Sequence, residues 1–323
     1  MLSLSSSPPP LTTATPLTDL SPGEIGGMSM KVIRPLRWAI RTFAPPIALA
    51  WGSATLRYTA AATLAMRRFP ILGYVAIGSP SGWVRSRAHV IRYRTLVSRY
   101  RFVLAVSERT RTELIDVIGV PAERVHVVPS GIPPEYLEIN RESHGDALHV
   151  LVVGSLTEEK DPLAAVEVVA GAAAASSIEV RFVGTGPLRE PAQRAVARRG
   201  LTEAVEFVGP AADVKSHLAW ADVLLLTSRT EGLPGVVIEA AGAGLPVVAY
   251  DVGAVDEIVE DGASGMIIAG RDAAAASRAL IRLGGDASLR RDQGSRARAI
   301  VAERYLLAGA AARVDRILRD QLA

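Results

Sequence analysis

The sequence predicts an α/β protein of two Rossmann-like domains, each a doubly wound parallel sheet. Three observations carry that prediction. Short β-rich runs alternate with helical stretches through both halves of the chain, and parallel strands need such crossover helices. A segment rich in Pro, Glu, Asn and Gly, Pro133–Ala147, separates the two series. The 323 residues suffice for two cores, at roughly 100–200 residues per domain. Hydrophobic residues make up 49% and charged residues 21%, which suits a folded chain. Aromatic residues are only 5%, so the cores are built from Ala, Val, Leu and Ile.

In chain order, residues 1–29 carry Pro, Ser and Thr without the basic start and apolar block of a signal peptide, and read as a disordered leader. Residues 30–140 form the first domain. Its strands are expected at Ile47–Trp51, Ile71–Ile77, Phe102–Val106 and Val125–Val128, with helices near Ala54–Arg68, Val84–Arg101 and Thr110–Ile118. Residues 148–300 form the second domain, with buried strands at His149–Val153, Ile178–Val183, Val205–Val208, Val223–Thr227, Pro246–Tyr250 and Met266–Ile268. Pro162 and Pro191 suit the first position of a helix, and Gly119 and Gly200 suit the left-handed end of one. Beyond Ile268 the chain reads as helical over Asp272–Leu283 and Leu289–Leu322, interrupted at Gly309, with 301–323 as a C-terminal helix. No uninterrupted apolar run approaches the ~18–20 residues of a membrane-spanning helix. Ligands of such sheets bind outside the carboxyl ends of the strands, so the chemistry is expected in the loops there, in a cleft between the domains.

Charge is unevenly distributed. Ile25 to Ser107 holds thirteen Lys and Arg and no Asp or Glu, within a chain of net charge +3. Six arginines, Arg85, Arg87, Arg92, Arg94, Arg99 and Arg101, fall in one expected helix. Two readings fit: an Arg-rich solvated face, or a field that attracts an anionic membrane surface or acidic acceptor. Nucleic acid is not expected, since no recognised motif accompanies the charge. With no cysteine, disulfides, Cys-ligated zinc, iron–sulfur clusters and thiol nucleophiles are excluded, and the composition fits a reducing cytoplasm.

The richest stretch is Ser228-Arg-Thr-Glu-Gly-Leu-Pro-Gly-Val-Val-Ile-Glu239, after the strand Val223–Thr227. Pro234 and Gly235 open a helix there, whose free amides and positive dipole end suit a phosphate. Glu239, one turn in, can accept two hydrogen bonds from the vicinal hydroxyls of a ribose, and Glu231 can do the same for a sugar. Small residues at Ala241, Gly242 and Gly244 let this helix approach the sheet, and Gly253 permits a turn beside a ligand. Val153-Gly-Ser-Leu-Thr-Glu-Glu-Lys-Asp-Pro162 places Lys160 after the domain's first strand, where a cation can screen a diphosphate. Val183-Gly-Thr-Gly-Pro-Leu-Arg189 is a second strand-end glycine turn, a structural turn or a site. The histidines His89, His126, His144, His149 and His217 have ordinary structural readings, and Ser107 reads as a helix N-cap or a ligand contact.

These segments, with Ala105-Val-Ser-Glu-Arg-Thr-Arg111, Val128-Pro-Ser-Gly-Ile132, Gly244–Val248 and Gly253–Gly265, resemble in order the retaining glycosyltransferases of family 4, which have the GT-B fold. The resemblance covers His89 to the C-terminus well and Leu36 to Ala88 weakly. It implies transfer of a sugar from a nucleoside diphosphate to the hydroxyl of an acceptor glycan or lipid, with retention, in the cytoplasm or on the inner face of the membrane. By that analogy Lys160 and Glu231 are catalytic. Lys160 binds the diphosphate, Glu231 holds hydroxyls of the donor sugar and Glu239 holds the ribose. Gly154, Ser155, Gly184, Gly186, Gly232, Leu233, Pro234 and Gly235 complete the donor site. The family uses no catalytic metal or other cofactor, and no Asp-x-Asp pair occurs in the chain. Ser155 stands where the family commonly has arginine and Ser130 where it has asparagine, and the first domain is expected to lack the family's opening strand and glycine-rich loop. The alternative reading is a catalytically impaired nucleotide-sugar binder acting as a regulatory or partner module. A nucleotide-sugar epimerase ranks last.

Overall fold

A computed structural model describes residues 2–3, 18–19, 29–64, 66–67, 69–82, 84, 86–142, 145 and 147–323. The leader read over 1–29 lies almost wholly outside them, as do Arg85 and His144. Two units form, Met1–Val128 with Asp315–Ala323, and Pro129–Val314.

The first unit is built on four parallel strands in sequence order, β1 Ile47–Trp51, β2 Ile71–Ala76, β3 Phe102–Ala105 and β4 Val125–Val127. Glycine at 73 is required in β2, since a Cβ there would lie 2.4 Å from the Phe102 ring. Helices α2 Gly52–Thr63 and α3 Arg87–Val97 follow β1 and β2, and α4 Glu108–Glu113 runs into a wider turn at Leu114–Ile118 after β3. Ser107 caps α4, its Oγ accepting from the Thr110 amide at 3.0 Å. Before the sheet stands a helix the sequence reading missed, α1 Met30–Phe43. Its apolar residues recur at helical spacing and bury Val32, Ile33, Leu36 and Ile40 against Tyr58 and Ala62 of α2. Arg37 of α1 donates to the Ala62 and Leu64 carbonyls at 2.9 and 3.0 Å, closing the end of α2.

The six arginines do not share one helix. Ser86 caps α3, accepting from the His89 amide, and the helix stops at Val97, so only Arg87, Arg92 and Arg94 ride on it. Arg99 and Arg101 lie in the turn into β3.

The second unit carries six parallel strands, β5 Leu148–Val153, β6 Ile178–Val183, β7 Val205–Gly209, β8 Val223–Leu226, β9 Val247–Tyr250 and β10 Gly265–Ile268. Their order across the sheet is β10-β9-β8-β5-β6-β7. Val, Leu and Ile from these strands pack on α5 Pro162–Ala173, α6 Arg189–Arg198 and α9 Ala273–Gly285 as one core. Glycine at 171 admits the Ser277 side chain between α5 and α9. Pro162 takes the first position of α5, but Pro191 takes the third of α6, where its missing N–H also costs nothing. The short α7 Lys215–Trp220 and α8 Gly235–Gly242 complete the crossovers.

The C-terminal helices break at Tyr305–Leu306, between α10 Ala287–Arg304 and α11 Leu307–Leu322, and not at Gly309. There the backbone opens to pair with Ile132, whose amide donates to Tyr305 O and whose carbonyl accepts from Leu307, each at 2.9 Å. A helix continued through this point could not offer those groups. Glycine at 131 is needed because a Cβ would meet the Leu307 backbone at 2.7 Å.

Candidate functional site

The order of the second sheet fixes where a ligand can sit. From β5 the chain steps outward to β6 and β7, and from the adjacent β8 it steps the other way to β9 and β10. Neighbouring strands whose crossovers depart in opposite directions leave a crevice at their carboxyl ends, where doubly wound sheets bind ligands. The loops leaving those two ends, residues 154–161 and 227–234, contain Lys160 and Glu231.

The structure brings these two side chains together. Lys160 Nζ donates to Glu231 Oε1 at 2.7 Å, and Ser228 Oγ donates to the same oxygen at 2.7 Å. Glu231 is 9% exposed while the lysine side chain is 30% exposed, so the carboxylate is the more enclosed partner. Glu231 Oε2 receives neither bond.

Backbone contacts hold the two loops in register. The Arg229 amide donates to Glu159 O at 2.7 Å, and Thr227 Oγ1 donates to Asp161 O at 3.1 Å. Asp161, just after the lysine, sits in the left-handed region at φ 48° and caps α5 through the Ala164 amide. Its buried carboxylate pairs with Arg271 at 2.6 Å and Arg229 at 2.9 Å. Arg271 also donates to the Thr227 and Ser228 carbonyls, at 3.1 and 2.7 Å. Sequence reasoning missed this clamp. The Asp-Pro pair at the start of α5 signals a cap, but nothing local points to Arg271.

The glycine turns are close-packed. Gly154 and Gly184 have φ of 149° and 139°, and a Cβ on Gly184 would fall 1.9 Å from Gly154 O. A Cβ on Gly186 would fall 2.5 Å from Leu156 O, and Leu156 and Thr185 are joined by a backbone hydrogen bond at 2.9 Å. Lys160 lies along Gly154, where a Cβ would meet its stem at an ordinary contact of 3.7 Å, so it is the φ of 149° that favours glycine there. Ser155 is exposed at the outer edge of this loop. Gly253, at φ 55°, passes so close that a Cβ would lie 2.5 Å from Glu231 O, and Ala254 N donates to Gly232 O at 2.8 Å.

Gly232, Leu233 and Pro234 are buried, and Pro234 and Gly235 open α8 without a side-chain cap. The first amides of a helix have no intrahelical partner, so this end remains available to an anion. Glu239 lies one turn further on, apart from the Lys160 pair. Burial, and then the charge of Asp213, push its carboxyl up to about 7. Tyr136 is pushed up to about 12 by its own burial and by Glu239. Among the described residues no cluster of His, Cys, Asp and Glu could hold a metal ion.

The Glu239 shift sets a pH dependence of stability. The folded carboxyl keeps its proton up to about 7, against 4.5 for the ordinary group, so between those values the folded chain binds more protons than the unfolded one. Its contribution is most favourable below pH 4.5 and is lost as pH rises through 7. Glu239→Gln, always neutral, is expected to leave stability unchanged at pH 4 and to raise it by about 2 kcal/mol at pH 8. Urea unfolding at the two pH values checks this; an equal change at both would refute it.

Two family models match the chain, Glycosyltransferase Family 4 over residues 6–136 and Glycosyl transferases group 1 over residues 147–286. The amylovoran biosynthesis glycosyltransferase AmsK of Erwinia amylovora is 32% identical over 213 residues, 61% of this chain and 52% of that protein. The α-D-kanosaminyltransferase of Streptomyces kanamyceticus is 28% identical over 241 residues, 70% of this chain and 62% of that protein. The chain thus spans little more than half the length of these curated relatives. A glycosyltransferase structure from Rickettsia africae superposes with a TM-score of 0.79 at 14% identity, covering 95% of this chain and 85% of its own. Anabaena HepE in complex with UDP and glucose does so with a TM-score of 0.80 at 22% identity, covering 94% and 86%.

Proposed function

From a chain that belongs to the family 4, group 1 glycosyltransferases and has their GT-B fold, we propose a transferase that moves a sugar from a nucleoside diphosphate to an acceptor hydroxyl with retention. The observation that carries this reading is the 2.7 Å contact of Lys160 with Glu231 at the switch point of the second sheet. A donor sugar needs an acceptor for its hydroxyls and a cation for its phosphates, and this pair supplies both.

In the proposed reaction Lys160 neutralises the diphosphate as the bond from the anomeric carbon to the phosphate oxygen breaks. The acceptor oxygen bonds to that carbon on the same face, and its proton passes to the departing phosphate oxygen. Glu231, its Oε1 held by Lys160 and Ser228, receives sugar hydroxyls on Oε2. The α8 start from Leu233 to Gly235 receives phosphate oxygens, with Gly154, Ser155, Gly184 and Gly186 lining the approach, and Glu239 accepts from the ribose. No step calls on a metal. Because a carboxylate accepts both ribose hydroxyls only when ionised, donor binding weakens as pH falls below about 7.

The test incubates the chain with radiolabelled UDP- and GDP-sugars and membrane lipid extract. Incorporation of label is expected; a donor that binds and is never turned over would overturn transfer and leave the partner-module reading.

An anionic membrane surface on the cytoplasmic side is the proposed setting. It is supported by exposed Arg87, Arg94, Arg99 and Arg101, and by α1, whose outer face carries Arg34 and Arg41 about Trp38, 64% exposed. No helix among the described residues is long and apolar enough to cross a membrane. Co-sedimentation with phosphatidylglycerol vesicles that ignores salt would refute electrostatic docking.

A further inference from the structure

We infer that the first unit holds an anion site of its own, in the cavity between α2 and α3, and that the group it takes is a phosphoryl group. The cavity measures about 250 Å³; Ser53, Ala54 and Arg57 of α2 and His89, Arg92 and Tyr93 of α3 line it together with Leu56 and Leu96. The α3 residues are three and four apart, so they share one helical face, and Ser53 and Arg57 do the same on α2.

Three features make the cavity select an anion. Arg57 is half-buried and, among the described residues, its guanidinium meets no hydrogen-bond acceptor; such a group gains when a ligand supplies one. Neither Arg57 nor Arg92 has a carboxylate partner among the described residues, and α2, α3 and the chain between them contain no Asp or Glu. The third feature is the start of α2, which follows the carboxyl end of β1 and has no side-chain cap. Ser53 and Ala54, in the first turn of that helix, line the same space. Two guanidiniums and a helix start offer several N–H donors to a group of three or four oxygens, and Arg forks match such oxygens in pairs. A carboxylate would leave some of these donors unanswered.

On the reading of the preceding subsection, which this assignment of the source rests on, the phosphoryl group belongs to the acceptor. The first unit would then recognise a phosphorylated acceptor, while the second holds the donor.

The test titrates inorganic phosphate by calorimetry into the full chain carrying Lys160→Ala, with ionic strength fixed by chloride. Saturable binding is expected, weakened about tenfold by Arg92→Gln and by Arg57→Gln. It should be unaffected by Arg94→Gln, since Arg94 lies against Gly119 and does not line the cavity. Arg92 is exposed, so its variant keeps the test sound if Arg57→Gln fails to fold. Binding that is absent, that ignores Arg92→Gln, or that chloride alone displaces would overturn the site. A second arm uses vesicles of phosphatidic acid. Capture that depends on Arg92 upholds the site and assigns a lipid-borne phosphate, while phosphate binding without capture upholds it and assigns a soluble one. UDP binding by the unmodified chain is measured separately; its absence would sink the donor reading and leave the phosphate result standing.

Discussion

Lys160→Ala is expected to lower kcat by roughly 10²–10³, equivalent to about 3–4 kcal/mol of transition-state stabilisation. The ammonium lies at the switch point beside Glu231, 2.7 Å away, and in the proposed reaction it matters most as negative charge gathers on the leaving diphosphate. The loss should therefore appear mainly in kcat, with a smaller rise in KM for the donor. The fold should survive. The lysine is 30% exposed, and the Glu231 it leaves behind still accepts from Ser228 at 2.7 Å. Steady-state kinetics with purified protein checks this, alongside a urea unfolding curve. Turnover equal to the parent would remove Lys160 from the reaction, whereas a rise in KM alone would make it a binding residue only.

Asp161→Ala is expected to cost about 3–4 kcal/mol of folding stability, the sum of three losses. The N-cap contributes about 1 kcal/mol. Alanine in the left-handed region adds about 1 kcal/mol. The charged contacts add ~1.5 kcal/mol, taken at the low end because Arg271 and Arg229 are 36% and 62% exposed. Asp161→Asn should lose about half as much, since asparagine caps a helix and tolerates a positive φ but brings no charge. Because Asp161 adjoins Lys160, and its partner Arg271 holds the Thr227 and Ser228 carbonyls, both variants should also lower kcat. Chemical denaturation ranks the three proteins. Asparagine as costly as alanine would refute the backbone and capping contributions, and a parent-like alanine variant would refute all three.

What the sequence made legible was mostly local. Period-two and continuous apolar runs marked the strands of both sheets, and the turn chemistry around Pro162, Gly119 and Gly200 marked helix ends, because these signals lie within a few residues of what they specify. That Lys160 and Glu231 both lie in strand-end loops was legible for another reason, although their 2.7 Å contact was not foreseen. Strand–helix alternation constrains topology, and topology decides which loops meet. The clamp of Asp161 on Arg271 joins residues 110 positions apart through a side chain whose own surroundings carry no periodicity. The α1 helix stayed hidden because Pro35 and four basic residues dilute an apolar face that appears only at helical spacing. The Arg-rich run misled because charge says nothing about where a helix stops. Ser86 opens α3, and the chain turns after Val97. Gly309 misled in the same way, since a glycine permits a break but the pairing of Ile132 at Tyr305–Leu306 imposes one.

That pairing also makes the second unit a closed circuit. Ile132, just inside its entry, is stitched to Tyr305 and Leu307 by two backbone hydrogen bonds of 2.9 Å, so the chain returns to its point of entry shortly before the unit ends at Val314. A domain with adjoining ends can be lifted out, re-inserted elsewhere, or reopened at another surface loop without disturbing its strand order. The two covalent connections to the rest of the chain then lie near one another on the unit, and the second unit is portable.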